Sequence, residues 1–128
     1  MYKKMMLTIT LFFTLLGCGG VSVAVPQASA YKPEDLKQNY ILYDYYTEWC
    51  GVCKQLEPHL DKLKTIYKGK VKVNRVNIER YPQLARDKSI RGVPTLILSD
   101  GEYDIAKTVG YMSYEDLVAW IHNVDTQQ

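Results

Sequence analysis

The sequence predicts an α/β fold, a mixed sheet of four or five strands with helices on both faces. Three observations carry this expectation. Apolar runs of strand length alternate with amphipathic stretches of helical period. One run, Tyr40–Tyr46, is apolar and aromatic throughout except for Asp44, as a central strand covered on both faces would be. Asp100-Gly101 sits between two later strand-like runs and signals a hairpin, so an antiparallel pair joins strands otherwise linked through helices. A chain of 128 residues with 47% apolar side chains is enough for one globular domain with a modest core.

The first thirty residues read as a leader rather than as part of that domain. "MYKK" is a short basic start, Met5–Leu16 is an apolar run, and Ala28-Ser29-Ala30 offers small residues at signal-peptidase spacing. The expected organisation is a secretory signal peptide over 1–30 and a working domain over 31–128. A transmembrane anchor competes: the run is too short to span up to Leu16 but long enough if extended to Val25. So does a second processing site, because "LLGC", Leu15–Cys18, resembles a bacterial lipobox. Cleavage after Ala30 gives a soluble periplasmic or extracytoplasmic product; cleavage before Cys18 gives a membrane-anchored lipoprotein. Either compartment lets disulfides persist. Lys3 and Lys4 supply the whole net charge of +2, so the domain itself is neutral and carries no nucleic-acid footprint.

Within the domain, Lys32–Asn39 is expected to form a short helix, with Pro33 in its first turn and Glu34 and Asp35 complementing the dipole. The Tyr40–Tyr46 strand follows. Cys50–Lys68 is expected as a helix kinked at Pro58, with Leu56, Leu60, Leu63 and Tyr67 inward and Gly69 as its C-cap. Val71–Glu79 alternates as a strand, with Val71 and Val73 inward and then Val76 and Ile78 after a change of phase. Tyr81–Ile90 reads as a short helix behind Pro82, Thr95–Ser99 as a strand, and Tyr103–Gly110 as its hairpin partner. Ser113–Val124 is an amphipathic helix with Ser113 and Asp116 in capping-box positions and Leu117, Val118, Trp120, Ile121 and Val124 inward.

The chemistry concentrates in "TEWCGVCKQLEP", Thr47–Pro58. Cys50 and Cys53 are three apart between a buried strand and a helix. A cysteine at a helix N-terminus meets unpaired N–H groups and the positive end of the dipole, which stabilise its thiolate. Such a thiolate attacks disulfides, and a second thiol one turn later can resolve the mixed disulfide. A static cross-link is the weaker reading, since so small a loop gains little stability. Half a zinc site is weaker too, because His59 and His122 are isolated and no second ligand pair exists at metal spacing; no metal is expected. A silent domain retaining the pair is a third alternative.

The segments "YDYYTEWCGVCKQLEP", "VNIE" and "IRGVPTLIL", with "VG" downstream, resemble the thioredoxin family over Leu36–Val124. The resemblance implies a thioredoxin-like fold with Cys50 as nucleophile, Cys53 as resolving thiol and Asp44 as a buried acid six residues before the nucleophile. It implies a cis-proline, Pro94 after Val93, facing the disulfide, and Gly110 beside the same groove. An aspartate inside an apolar strand is costly unless used, and near Cys53 it can accept a proton; a plain ion pair is its other reading. Pro94 cannot donate to a strand ladder, which suits a place where substrate backbone pairs instead, or simply a loop break. Trp49 reads as an apolar rim or as core, and Gly51, Val52, Val93, Pro94 and Gly110 complete the expected docking groove for an extended peptide.

Three positions depart from the family pattern. Gly51-Val52 replaces the usual Gly-Pro between the cysteines, Tyr46 stands at a usual tryptophan, and Arg75 stands at a usual lysine. A guanidinium stays charged, and near Asp44 it would favour the ionised acid. The family's first strand has one candidate, Val21–Val25, which cleavage after Ala30 would remove. The expected activity is that of an exported, monomeric thiol–disulfide oxidoreductase, a protein-disulfide reductase needing no cofactor beyond Cys50–Cys53. Its partners would be disulfide-bearing proteins and a membrane electron donor. Disulfide oxidase or isomerase, or a non-catalytic peptide-binding module, are the alternatives.

Overall fold

The computed structural model describes residues 19, 20 and 30–128. The apolar run of the leader, the Leu15–Cys18 motif and the candidate strand Val21–Val25 lie outside them. Among the described residues the elements are β1 (Tyr40–Tyr46), α1 (Gly51–Ile66), β2 (Val71–Asn77), α2 (Pro82–Asp87), β3 (Thr95–Ser99), β4 (Asp104–Val109) and α3 (Tyr114–Thr126). They form a mixed four-stranded sheet in the order β2-β1-β3-β4. β1 and β2 are parallel and joined through α1; β3 runs antiparallel to both β1 and β4.

The expected helix over Lys32–Asn39 is a single 3-10 turn, Pro33–Asp35. Leu36 turns the chain extended (φ −69°, ψ 127°) and is buried in the core. Lys37 then bonds to Asp125 through its backbone N–H (3.1 Å) and its ammonium. These tertiary anchors outweigh the local helical signal.

The main core lies on one face of the sheet. Tyr40, Leu42, Leu96 and Leu98 meet Leu56, Leu60 and Leu63 of α1 and Leu117, Val118 and Ile121 of α3. The heptad-like stripes of both helices are therefore buried as their period predicts. Trp120 is only partly buried at the margin of this core. α1 continues through Pro58, whose missing N–H leaves the carbonyl of exposed Lys54 to solvent. Its C-cap is Tyr67, and Gly69 (φ +86°) instead lies in the turn that follows. On the other face Tyr45 and Ile97 are buried, and residues 87–89 at the end of α2 share a groove with Ile97.

β2 ends at Asn77 rather than Glu79, because Asn77 is buried and its side-chain oxygen accepts the Glu79 N–H (2.9 Å), turning the chain. The β3–β4 hairpin turns at Gly101 (φ +100°), while the Asp100 carboxylate accepts from the N–H groups of Glu102 and Tyr103. Ser113 caps α3 by accepting the Asp116 N–H (3.1 Å).

Candidate active site

β1 delivers the site. It begins at Tyr40 and ends at Tyr46, from which Thr47–Trp49 lead to Cys50 at the start of α1. Thr95 lies opposite Tyr45 on one side and Val109 on the other, so Val93-Pro94 and Gly110 come to the same end of the sheet. The Val93–Pro94 peptide is cis, and the Gly110 N–H donates to the Pro94 carbonyl (2.8 Å). Gly110 has φ +106°, a conformation that disfavours any side chain.

Cys50 is the N-cap of α1, and its sulfur accepts the Cys53 N–H (3.1 Å). A sulfur thus fills the place of the usual capping oxygen, within reach of the helix's first unpaired donors. The two cysteines are bonded as a disulfide, Cα atoms 5.2 Å apart, and both are buried. Around this buried pair the lip is apolar and open: Trp49 is 71% exposed and Val52 43%. Trp49 is therefore rim and not core, and its indole N–H is held by Glu79 (2.8 Å). Gly51 is exposed at the helix start, beside Val52.

Asp44 lies on the core-facing side of β1 and is fully buried. Its Oδ2 accepts from Arg75 Nε (2.9 Å), while its Oδ1 has no hydrogen-bond partner among the described residues. Burial pushes its carboxyl above the usual range, and the hydrogen bond and charge of Arg75 offset part of that push. Arg75 also pairs with Glu57 of α1 (2.9 Å) and lies over the Tyr46 ring, 4.3 Å from its centre. A small pocket of about 220 Å³ beside them is lined by Cys53, Thr47, Tyr46, Glu57 and Arg75, among others.

Every residue expected at the site thus lies at one end of the sheet or in the strand that feeds it. Glu79, Glu57 and the buried Thr47 join them without having been singled out. Glu57 carried a signal, since it lies four residues after Cys53 and so on the same helical face. The histidines do not join the cysteines: His59 bonds Tyr111 (2.8 Å), and His122 lies among Tyr31 and Tyr67 near the start of β1.

A family model described as thioredoxin matches residues 22–123. The chain is 38% identical over 96 residues to a thioredoxin of Rickettsia felis, covering 73% of this chain and 90% of that one. A thioredoxin of Pseudomonas aeruginosa is 40% identical over 82 residues, 63% of this chain and 75% of its own. Among solved structures, thioredoxin-2, a component of malaria parasite protein secretion machinery, superposes with a TM-score of 0.64 at 27% identity, covering 69% of this chain and 85% of its own. A mutant thioredoxin from Halobacterium salinarum gives a TM-score of 0.62, also at 27% identity, covering 71% and 79%.

Proposed function

The chain belongs to the thioredoxin family, and from that premise we propose that it is an exported reductase of protein disulfides, supplied with electrons by a membrane-bound donor. Membership makes it a thiol–disulfide oxidoreductase that works through its cysteine pair without an added cofactor, on disulfide-bearing proteins. The observation that carries the site is the buried Cys50–Cys53 pair at the α1 N-terminus, beneath an exposed apolar lip.

In the proposed cycle an extended substrate segment lies across Trp49, Val52, cis-Pro94 and Gly110. The Cys50 thiolate attacks a substrate sulfur; a Cys50–substrate bond forms and the substrate's own disulfide breaks, its departing sulfur taking a proton. Cys53 then gives its proton to Asp44 and attacks the Cys50 sulfur. The Cys50–Cys53 bond forms, and the second substrate sulfur leaves as a thiolate that is protonated. The pair has lost two electrons and the substrate disulfide has gained them. Val93 sets the backbone that enters the cis bond, and Gly51 leaves room over the pair.

Export rests on the leader-like residues 1–30. We favour cleavage after Ala30 on the Ala28-Ser29-Ala30 pattern; Tyr31, the first residue it would leave, stacks on His122 (ring centres 4.7 Å apart). Cleavage before Cys18 would instead keep residues 22–30, the start of the family match, on an anchored chain. The intact mass of protein recovered from outside the cytoplasm separates the two. Direction is tested by the reduction potential of Cys50–Cys53. A value near about −270 mV supports the reductase; a value near about −120 to −180 mV assigns an oxidase or isomerase and points to Val52.

A further inference from the structure

Two of the chain's departures from its family meet in one place. Arg75 replaces a usual lysine and Tyr46 a usual tryptophan, and the guanidinium carbon of one lies over the ring of the other, 4.3 Å from its centre. The same guanidinium uses two different nitrogens on two carboxylates. Nε reaches inward to Asp44, and an Nη reaches outward to Glu57, both at 2.9 Å. A lysine ammonium is a point charge and cannot divide itself in this fixed planar fashion. The Asp44 side chain is fully buried, whereas the Glu57 side chain is about half exposed (48%) and the Arg75 side chain 28% exposed. One cation therefore serves a buried carboxylate that the reaction uses and an accessible one that it does not.

Resting on the reading that Asp44 takes the Cys53 proton, we propose that Glu57 is a positioning residue for that transfer, acting through Arg75. It draws the guanidinium toward the surface and limits how strongly that charge is committed to Asp44. The balance matters in both directions. A carboxylate with no cation beside it in an apolar strand stays protonated and cannot accept. One fully committed to a cation is ionised but a poor base. Sharing the cation leaves Asp44 ionised yet basic enough to accept.

Few other charges compete. Arg75 faces Asp44 from β2 and Glu57 from α1, with Lys54 and Glu48 on the same small pocket as Cys53. β3 presents Leu96 opposite Asp44 and adds no titratable group. Burial raises the Asp44 carboxyl, the Arg75 hydrogen bond and charge lower it, and the nearby Glu57 charge raises it directly; a weaker hold of Arg75 on Asp44 acts in the same sense, and the variants below separate the two routes.

The test is a double-mutant cycle read on proton transfer. Cys50 of purified protein is loaded as a mixed disulfide with a coloured aromatic thiol, and release by Cys53 is followed against pH. The Asp44 carboxyl is titrated in parallel by carbon NMR in the reduced protein. Arg75→Met should move the acid limb to higher pH, lowering the rate on that limb about tenfold or more. Glu57→Gln, which keeps an acceptor oxygen but no charge, should move the limb the other way. In the Arg75→Met background, Glu57→Gln should move the limb much less, by only the direct effect of removing a nearby charge. An equal shift by Glu57→Gln in both backgrounds overturns the proposal, because Glu57 then acts as a simple nearby charge. No shift in the wild-type background overturns it as well. Asp44→Asn separates the two levels: an unchanged rate and limb defeats the role of Asp44 itself, while the NMR titration still reads whether Glu57 and Arg75 control its ionisation. Arg75→Lys, which keeps the charge and is the milder change, should fall between wild type and Arg75→Met.

Discussion

Two buried aspartates stand at opposite ends of the same core, and they are served very differently. Asp125 on α3 accepts the Tyr40 hydroxyl (2.6 Å) and the Lys37 N–H (3.1 Å), and the Lys37 ammonium reaches its backbone carbonyl. Asp44 sits on the same side of β1 as Tyr40, four residues along. It has one partner, Arg75, which it shares with Glu57, and its second oxygen has none among the described residues. The nearby Thr47 hydroxyl is likewise buried without a partner. The Asp125 end ties the entering chain to the last helix with satisfied polar groups, which is what stability favours. The Asp44 end leaves polar capacity unspent, which suits the proposed transfer of a proton from Cys53.

Exchanging each carboxylate for an amide should break the symmetry most visibly. Asp44→Asn should slow the resolving step by about 10²-fold or more, as loss of a positioned base does. The same change should raise stability at pH 8 by about 1–3 kcal/mol, because a half-satisfied buried charge is gone while Arg75 keeps Glu57 and solvent. Asp125→Asn should do the opposite: turnover unchanged, and stability lowered by about 1–3 kcal/mol through the weakened Tyr40 and Lys37 bonds. Denaturant melts at pH 8 and single-turnover release measure both variants. A slow Asp125→Asn enzyme, or a destabilised Asp44→Asn protein, would erase the distinction between the two ends.

The legibility of the two ends differed for a physical reason. The cysteine pair is readable locally, as two cysteines one helical turn apart; Asp44 and Pro94 enter through the family resemblance, each marked by a local oddity, an acid within an apolar strand and a proline that cannot join a ladder. Short periodic runs likewise fixed β1, β3, α1 and α3 to within a few residues. What escaped depends on contacts between distant segments. The Lys32–Asn39 stretch has a helical signal, yet Leu36 and Lys37 are recruited by the core and by Asp125. Arg75 was visible as a departure, but its division between Asp44 and Glu57 needs β1, β2 and α1 assembled. The Tyr31–His122–Tyr67 group joins residues that nothing in their own neighbourhoods links.

That last group sharpens the comparison through pH. Burial lowers the affinity of His122 for a proton, although Asp35 and Asp125 act against it. The unfolded chain therefore binds this proton more readily than the fold does. His122 supports stability fully above its unfolded pKa and loses that support as pH falls through its lower folded value. Asp44 has the opposite sign: its folded carboxyl is raised, so its support is complete below the unfolded pKa and is lost as pH rises through the folded value. The two ends should thus tilt the stability curve in opposing senses. Asp44→Asn should flatten the decline toward alkaline pH. His122→Gln, which keeps a hydrogen-bonding group for the Tyr67 hydroxyl (3.0 Å), should flatten part of the decline toward acid, by a smaller amount because only one half-paired ring is involved. Melts of both variants and the wild type between about pH 3 and pH 9, a range spanning both ordinary pKa values, give the two slopes separately. If His122→Gln steepened the acid side instead, the ring would be charged in the fold, and the far end would be carrying an unspent titratable group as the Asp44 end does.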